Sequence, residues 1–189
     1  MKELPQGATK LFEGIIFDVY QWEQEQFDGT YKTFECVKRL NNTVVIPVFG
    51  DKILIIKEEQ PGTGGAYWCL PAGRFDRHEI DSLEVSKREL LEEVGAVSDT
   101  WELFDIYDKG GTTAVGVTYV YIARNCNIIQ DPNPDVGGEI LHDMRYVTYD
   151  EFLDLYKRDG IRGGSIETAM LRALCDVGIY NTIKNKIFQ

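Results

Sequence analysis

The sequence predicts an α/β protein in which a mixed β-sheet lies between helices. Three observations carry that expectation. Strand-like segments stand on both sides of one central helix, those segments are rich in aromatic and β-branched residues, and the chain closes on helical spacing. With 189 residues, 43% of them hydrophobic, the chain is long enough for a sizeable core and too apolar to stay disordered.

Residues 11–22 (LFEGIIFDVYQW) and 31–38 (YKTFECVK) read as strands separated by the turn pair Asp28-Gly29. Residues 43–49 (TVVIPVF) and 52–57 (KILIIK) make a second hairpin around Gly50-Asp51. A flexible loop at 61–65 (PGTGG) leads into a short strand, 67–70 (YWCL), which ends at Pro71-Ala72-Gly73. Helical spacing runs over 82–94. Asp81 caps its start, Glu84 holds the reciprocal capping-box position and Gly95 suits a left-handed stop. Strands follow at 101–107 and 114–123, then a turn-rich loop at 131–138 (DPNPDVGG) and a strand at about 140–148. A short helix at 150–157 and one long helix at 165–183 complete the chain.

Composition narrows the function classes. The formal net charge is −11, which repels nucleic acid and anionic membranes and excludes both as main partners. A phosphorylated small molecule still fits such a chain if a divalent cation sits between them. The cysteines Cys36, Cys69, Cys126 and Cys175 are too far apart for zinc-type spacing, so free buried thiols in a reducing cytoplasm are expected. The first residues have no apolar core of a signal peptide, and no stretch approaches membrane-spanning length. Only two histidines occur, His78 and His142, and neither has an obvious nucleophile partner. Carboxylate chemistry is the better direction.

The 82–94 helix concentrates that chemistry. Glu89, Glu92 and Glu93 fall within an arc of roughly 100°. Leu83, Leu90, Leu91 and Val94 gather on a different face, which makes the helix amphipathic. Each like-charge pair at i,i+3 or i,i+4 costs about 0.2–0.5 kcal/mol. Acids in the last turns also oppose the helix dipole, at about 0.3–1 kcal/mol for those nearest the end. A divalent cation would reverse the sign of this repulsion. A few carboxylates with room for water and phosphate suit Mg²⁺.

The flanking residues match a known pattern. Gly73, five residues, Glu79, and then Arg88-Glu89-Leu90-Leu91-Glu92-Glu93-Val94-Gly95-Ala96 resembles the Nudix box of the Nudix hydrolases, with Leu70-Pro71-Ala72 as its usual lead-in. One departure stands out: eight residues separate Glu79 from Arg88, where the family has seven. The helix itself is in register. The resemblance therefore implies Glu89, Glu92 and Glu93 as metal ligands, with Glu92 also a candidate base, a backbone carbonyl of Gly73 or Ala72 beside them, and Arg88 orienting the acids. Glu79 is the remaining box acid, with Asp76 and Asp81 as its alternatives around the inserted residue.

The resemblance implies a Nudix-type α/β/α sandwich at 43–189, preceded at 1–42 by an N-terminal β-strand extension. That extension, and the ending YVTYDEFLDLYKRDGIRGGSIETAMLRAL, look like the ADP-ribose and nucleoside-diphosphate-sugar pyrophosphatase branch, whose N-terminal strands build a homodimer. In that branch a loop carboxylate acts as general base. Glu139 stands at that place, with Asp135 as competitor. The branch's arginine after the strand's Gln is replaced here, since Gln60 is followed by Pro61-Gly62, and its proline past the box is missing from Lys109-Gly110-Gly111-Thr112-Thr113. Lys57, Lys109 and Arg74 are the candidate replacements for positive charge. Among the N-terminal aromatics Phe17, Tyr20, Trp22 and Phe34, the candidates for contact with a base are Tyr20 and Trp22. The implied activity is Mg²⁺-dependent, with Mn²⁺ as an alternative ion. It cleaves the pyrophosphate bond of a nucleoside diphosphate linked to a group X, giving a nucleoside monophosphate and a phosphorylated X. Nucleoside triphosphates, dinucleoside polyphosphates and a non-catalytic nucleotide sensor stay open as alternatives.

Overall fold

A computed structural model describes residues 3–108, 111–133 and 138–189. Its centre is a seven-stranded mixed sheet. The principal order is β13 (Ile140–Val147), β5 (Lys52–Glu59), β4 (Asn42–Phe49), β11 (Val117–Arg124) and β9 (Thr100–Asp108). The short strands β6 (Tyr67–Cys69) and β7 (Ala72–Arg74) add to β5 and β4. β4 and β11 run parallel, whereas β13 with β5, β4 with β5, and β9 with β11 are antiparallel. The central strands are near-continuous apolar runs because both faces are covered.

Strand alternation divides the core into two layers. Val44, Ile46, Val48, Ile53 and Ile55 pack on helices α2 (Tyr149–Lys157), α3 (Gly164–Cys175) and α4 (Val177–Phe188) through Phe152, Ile166, Met170 and Ile187. Val45, Leu54 and Ile56 face the other way, onto Leu90 and Val94 of α1 (Ser82–Val94). The α/β/α sandwich follows from these two faces. Among the described residues no helix is long and apolar enough to cross a membrane.

A second sheet, in the order β1 (Thr9–Glu13), β2 (Phe17–Glu25), β3 (Tyr31–Arg39) and β10 (Ala114–Val115), stands beside the first. Residues 72–74, 96–97 and 127–128 apart, the elements lie close to where the sequence places them, but three are divided. The strand expected over 11–22 is a hairpin whose turn holds Gly14, Ile15 and Ile16. A Cβ at Gly14 would collide with the Phe17 carbonyl, which the Gly14 N–H reaches at 3.1 Å. The strand expected over 114–123 breaks at Gly116 (φ 143), so β10 joins the N-terminal sheet and β11 the central one. The long helix expected over 165–183 is two, because Asp176 takes extended geometry and its carboxylate caps the N–H groups of Gly178 and Ile179. Of the four free thiols, those of Cys36, Cys69 and Cys126 are buried, whereas Cys175 at the end of α3 is exposed. The sequence reading passes over three short strands: β7, which pairs with β4, and β8 (Ala96–Val97) and β12 (Asn127–Ile128), which pair with each other beyond the end of α1.

Candidate active site

Helix α1 starts and stops where its caps dictate. Asp81 Oδ1 accepts from the Leu83 and Glu84 N–H groups, and Gly95 (φ 73) donates to the Leu90 and Leu91 carbonyls. Glu84 meets Lys87 Nζ at 2.7 Å. The buried face of the helix is not purely apolar. It comprises Val85, Ser86, Glu89, Leu90, Glu93 and Val94, with Leu83 and Leu91 only half-buried. Glu89 is 7% exposed and Glu93 4%. The acid side read from the sequence as a candidate ion site is therefore partly interior, turned toward β7.

Close approach of β7 explains both glycine and glutamate. A Cβ built on Gly73 would fall on the Glu89 carboxylate, so only glycine admits that side chain. One residue earlier, the Ala72 N–H donates to Glu93 Oε2 at 2.9 Å. Glu93 is joined by two acids from other elements: one carboxylate oxygen each from Glu58, Glu93 and Glu139 lie within 4.8 Å of one another. Glu58 was not singled out from the sequence. It continues the alternation of Leu54 and Ile56 on β5, and that period was the available signal. Tyr67 Oη donates to Glu58 at 2.7 Å, and the Gln60 amide reaches Glu58 at 3.2 Å and Glu139 at 2.8 Å.

Arg88 organises the outer side. Its guanidinium contacts Glu79 at 3.2 Å, Glu89 at 2.8 Å and Glu92 at 2.9 Å, and donates to the Arg74 carbonyl at 3.3 Å. Burial acts to lower the Arg88 pKa, but these carboxylates hold it above the usual range. Glu79, despite the inserted residue, lies against Arg88 and also accepts from the Asp76 N–H at 2.6 Å. Burial acts to raise its carboxyl, and those two donors hold it below the usual range. Asp81 is occupied as the helix cap.

A cavity of about 550 Å³ opens over this group, lined by Gly73, Arg74, Arg88, Glu89, Glu92, Glu93 and Glu139. An adjoining cavity of about 570 Å³ shares Gly73, Arg74 and Glu139 and adds Gln60 and Arg39. The structure thus brings Glu89, Glu92, Glu93 and Glu139 to one cavity with Asp76 and Arg74, and sets Glu79 against Arg88 beside it, whereas Asp81 stays at the helix cap. It does not bring in Trp22 or Lys57. Trp22 sits on β2 against Phe34, ring centroids 5.2 Å apart, and donates to Gln24. Lys57 follows Ile53 and Ile55 onto the face of β5 opposite Glu58. Tyr20 lines a separate, smaller cavity under the N-terminal sheet. Lys109 and Asp135 lie outside the described residues.

The buried acids fit a hard divalent cation by chemistry: all donors are oxygen and closely grouped. Burial, then repulsion from Glu92 and Glu139, raises Glu89 from 4.5 to about 7 against the pull of Arg88. Burial and the charges of Glu89, Glu139 and Glu58 raise Glu93 well above its ordinary value. An acid raised in the folded state holds its proton more tightly there than when unfolded. Its contribution to stability is full below the unfolded value near 4.5 and is lost as pH climbs through the folded value near 7. For Glu89 alone the difference is on the order of 3 kcal/mol. In chelator, thermal melts are expected to fall from about pH 5 to about pH 7.5, and Mg²⁺ or Mn²⁺ is expected to restore them by favouring the ionised acids. A flat profile in chelator would refute this coupling.

The NUDIX domain family model matches residues 39–168. No curated protein matches the sequence. A crystal structure of an ADP compounds hydrolase is similar in fold, with a TM-score of 0.66 and 18% identity over 83% of this chain and 86% of that one.

Proposed function

The chain belongs to the NUDIX family, and from that premise we propose that it is a divalent-metal-dependent hydrolase of nucleoside diphosphates linked to a group X, with ADP-ribose or a nucleotide sugar as substrate. The observation that carries this reading is the burial of Glu89 and Glu93 beside Glu58 and Glu139, at the floor of an open cavity rimmed by Arg88. Buried acids at such density are costly in a fold and useful at an ion site. The likeness to an ADP compounds hydrolase supports an adenine nucleotide.

Glu89, Glu92 and Glu93, with Glu58 beside Glu93, would hold the ion, Mg²⁺ or Mn²⁺. When bound, such an ion neutralises phosphate charge and acidifies water. Arg88 keeps Glu89 and Glu92 turned to the cavity and Glu79 locks Arg88 in place. Arg74 lines both cavities and offers positive charge to the diphosphate. Glu139, oriented by the Gln60 amide, takes the proton of the attacking water. The water oxygen bonds to one phosphorus, and the bridging oxygen leaves with the other phosphate. The products are a nucleoside monophosphate and a phosphorylated X.

Residues 1–42 act as an extension that joins two copies of the chain. The exposed Leu11, Phe12, Ile15 and Phe17 of the β1–β2 hairpin support that assignment. The buried free thiols support a cytoplasmic setting. The experiment is a panel of nucleoside diphosphate compounds, triphosphates and dinucleoside polyphosphates assayed for monophosphate release with chelator, Mg²⁺ or Mn²⁺. Metal-dependent release from a diphosphate compound is the expected result. Tight binding of one compound with no turnover of any would replace the enzyme with a nucleotide sensor.

A further inference from the structure

A group of cations stands apart from the acids. Lys10, Lys38, Arg39 and Arg77 line a cavity of about 230 Å³ where β1, β2 and β3 meet the loop after β7. The chain has 20 Lys and Arg against 31 acids, so four cations around one cavity reverse the local sign of its field. The acid among the residues lining it is Asp18, 6% exposed, which takes Arg77 at 3.0 Å and Lys10 at 3.4 Å. Glu13 meets Lys10 from outside at 2.9 Å. Arg77 also donates to the Gly14 carbonyl, which pins the β1–β2 turn over the loop. Lys38 and Arg39 make no side-chain ion pair or hydrogen bond among the described residues. Their charges are left over in a pocket that already holds two others. Tyr20 lines the same space, its ring centroid 5.9 Å from Lys10 Nζ. Ile16, Arg39 and Leu40 also line the cavity that contains Gln60 and Glu139, so the basic cavity abuts the acidic site.

We propose that this basic cavity is a subsite for a phosphate monoester. Such a group carries about −1.5 to −2 charges at neutral pH, which matches the two unpaired cations. Arginine grips phosphate through a two-pronged donor fork and lysine adds a compact charge. The subsite stands on its own geometry, and only its link to turnover rests on the hydrolase reading above. In that link, X itself bears a phosphate monoester, held here while the diphosphate lies over the acids. The other source of the same chemistry is free phosphate acting as an effector.

Two measurements decide it, both on the full chain. The first titrates metal-free protein with inorganic phosphate and reads amide NMR shifts. Shifts at residues 38 and 39 that Lys38→Glu abolishes are the expected result, and Lys38→Gln weakens them if the charge reversal disturbs the sheet. Absence of shifts there, or shifts unchanged by both substitutions, overturns the subsite. The second compares hydrolysis of two nucleotide sugars that differ only in a phosphate monoester on the sugar. Lys38 lines the basic cavity and neither acid-site cavity. Lys38→Glu is expected to raise KM about tenfold for the phosphorylated compound, the loss of one charge-assisted contact, and to leave the other compound unchanged. An equal loss for both compounds overturns the link to X. A phosphate effect on the unphosphorylated compound that Lys38→Glu removes assigns the subsite to free phosphate. Phosphate shifts without turnover of either compound would sink the hydrolase reading and leave the subsite standing.

Discussion

Glu93→Gln is expected to lower turnover by about a hundred- to a thousandfold while leaving the metal-free fold at least as stable as the parent. The two effects have one cause. Glu93 is 4% exposed and surrounded by the charges of Glu89, Glu139 and Glu58, which push its carboxyl strongly upward. Glutamine keeps an oxygen for the Ala72 N–H, now received by Glu93 Oε2 at 2.9 Å, and removes the charge that the neighbours oppose. The fold therefore loses a repulsion and keeps its hydrogen bond. The site loses the buried carboxylate that links the α1 acids to Glu58 and Glu139, and with it the charge that a cation and a developing phosphate transition state require. Steady-state kinetics with saturating metal, together with thermal melts in chelator, read both halves. Parental activity in the variant would remove Glu93 from the ion site. Lost activity with a collapsed melting transition would make it a structural residue.

Gly73→Ala is expected to impair activity about as strongly through geometry alone. The added methyl would occupy the place of the Glu89 carboxylate, so either Glu89 turns away or β7 and α1 separate. Overpacking of this kind costs about 1–3 kcal/mol of stability. A misplacement of about 1 Å in a catalytic group costs about a hundredfold in rate. Glu89 is also held by Arg88 at 2.8 Å, so the disturbance is passed to Glu79 and Glu92, which share that guanidinium. The expected signature is a higher metal requirement and a lower kcat, with a melting temperature down by several degrees. A double variant, Gly73→Ala with Glu89→Ala, should regain stability without regaining activity. If Gly73→Ala matched the parent in metal requirement and rate, the packing of Glu89 on Gly73 would have no part in the site.

Much of the fold was legible because it is written in short-range pattern. The run 43–49 and the run 52–57 are apolar on both faces, and the turn pair Gly50-Asp51 between them leaves β4 and β5 one arrangement as a hairpin. The limits of α1 were legible for the same reason, since Asp81 and Gly95 act on backbone groups within a turn of themselves. The misjudged elements share a different feature. Gly116 and Asp176 interrupt segments whose composition continues smoothly across them, the first at φ 143 and the second in extended geometry with its carboxylate capping α4. β10 leaves β11 because the edge of β3 was open to it, with Ala114 opposite Val37 and Val115 opposite Lys38.

The site divides along the same line. By itself the sequence determined the helix of acids from Arg88 to Glu93, the two glycines that flank it, and the excess of like charge on one helix. Each of those is a matter of residues a few positions apart, whose spacing on a helix follows from backbone geometry. Tertiary structure alone decided that Glu58 and Glu139, from a strand and from the residue before another, come to Glu93. It also decided that Arg88 is shared by three carboxylates, that Trp22 and Lys57 stay away from the acids, and that Arg39 lines a cavity with Glu139. Those contacts depend on which face each strand buries and on how the sheet and α1 close around one core, and no local spacing encodes that outcome.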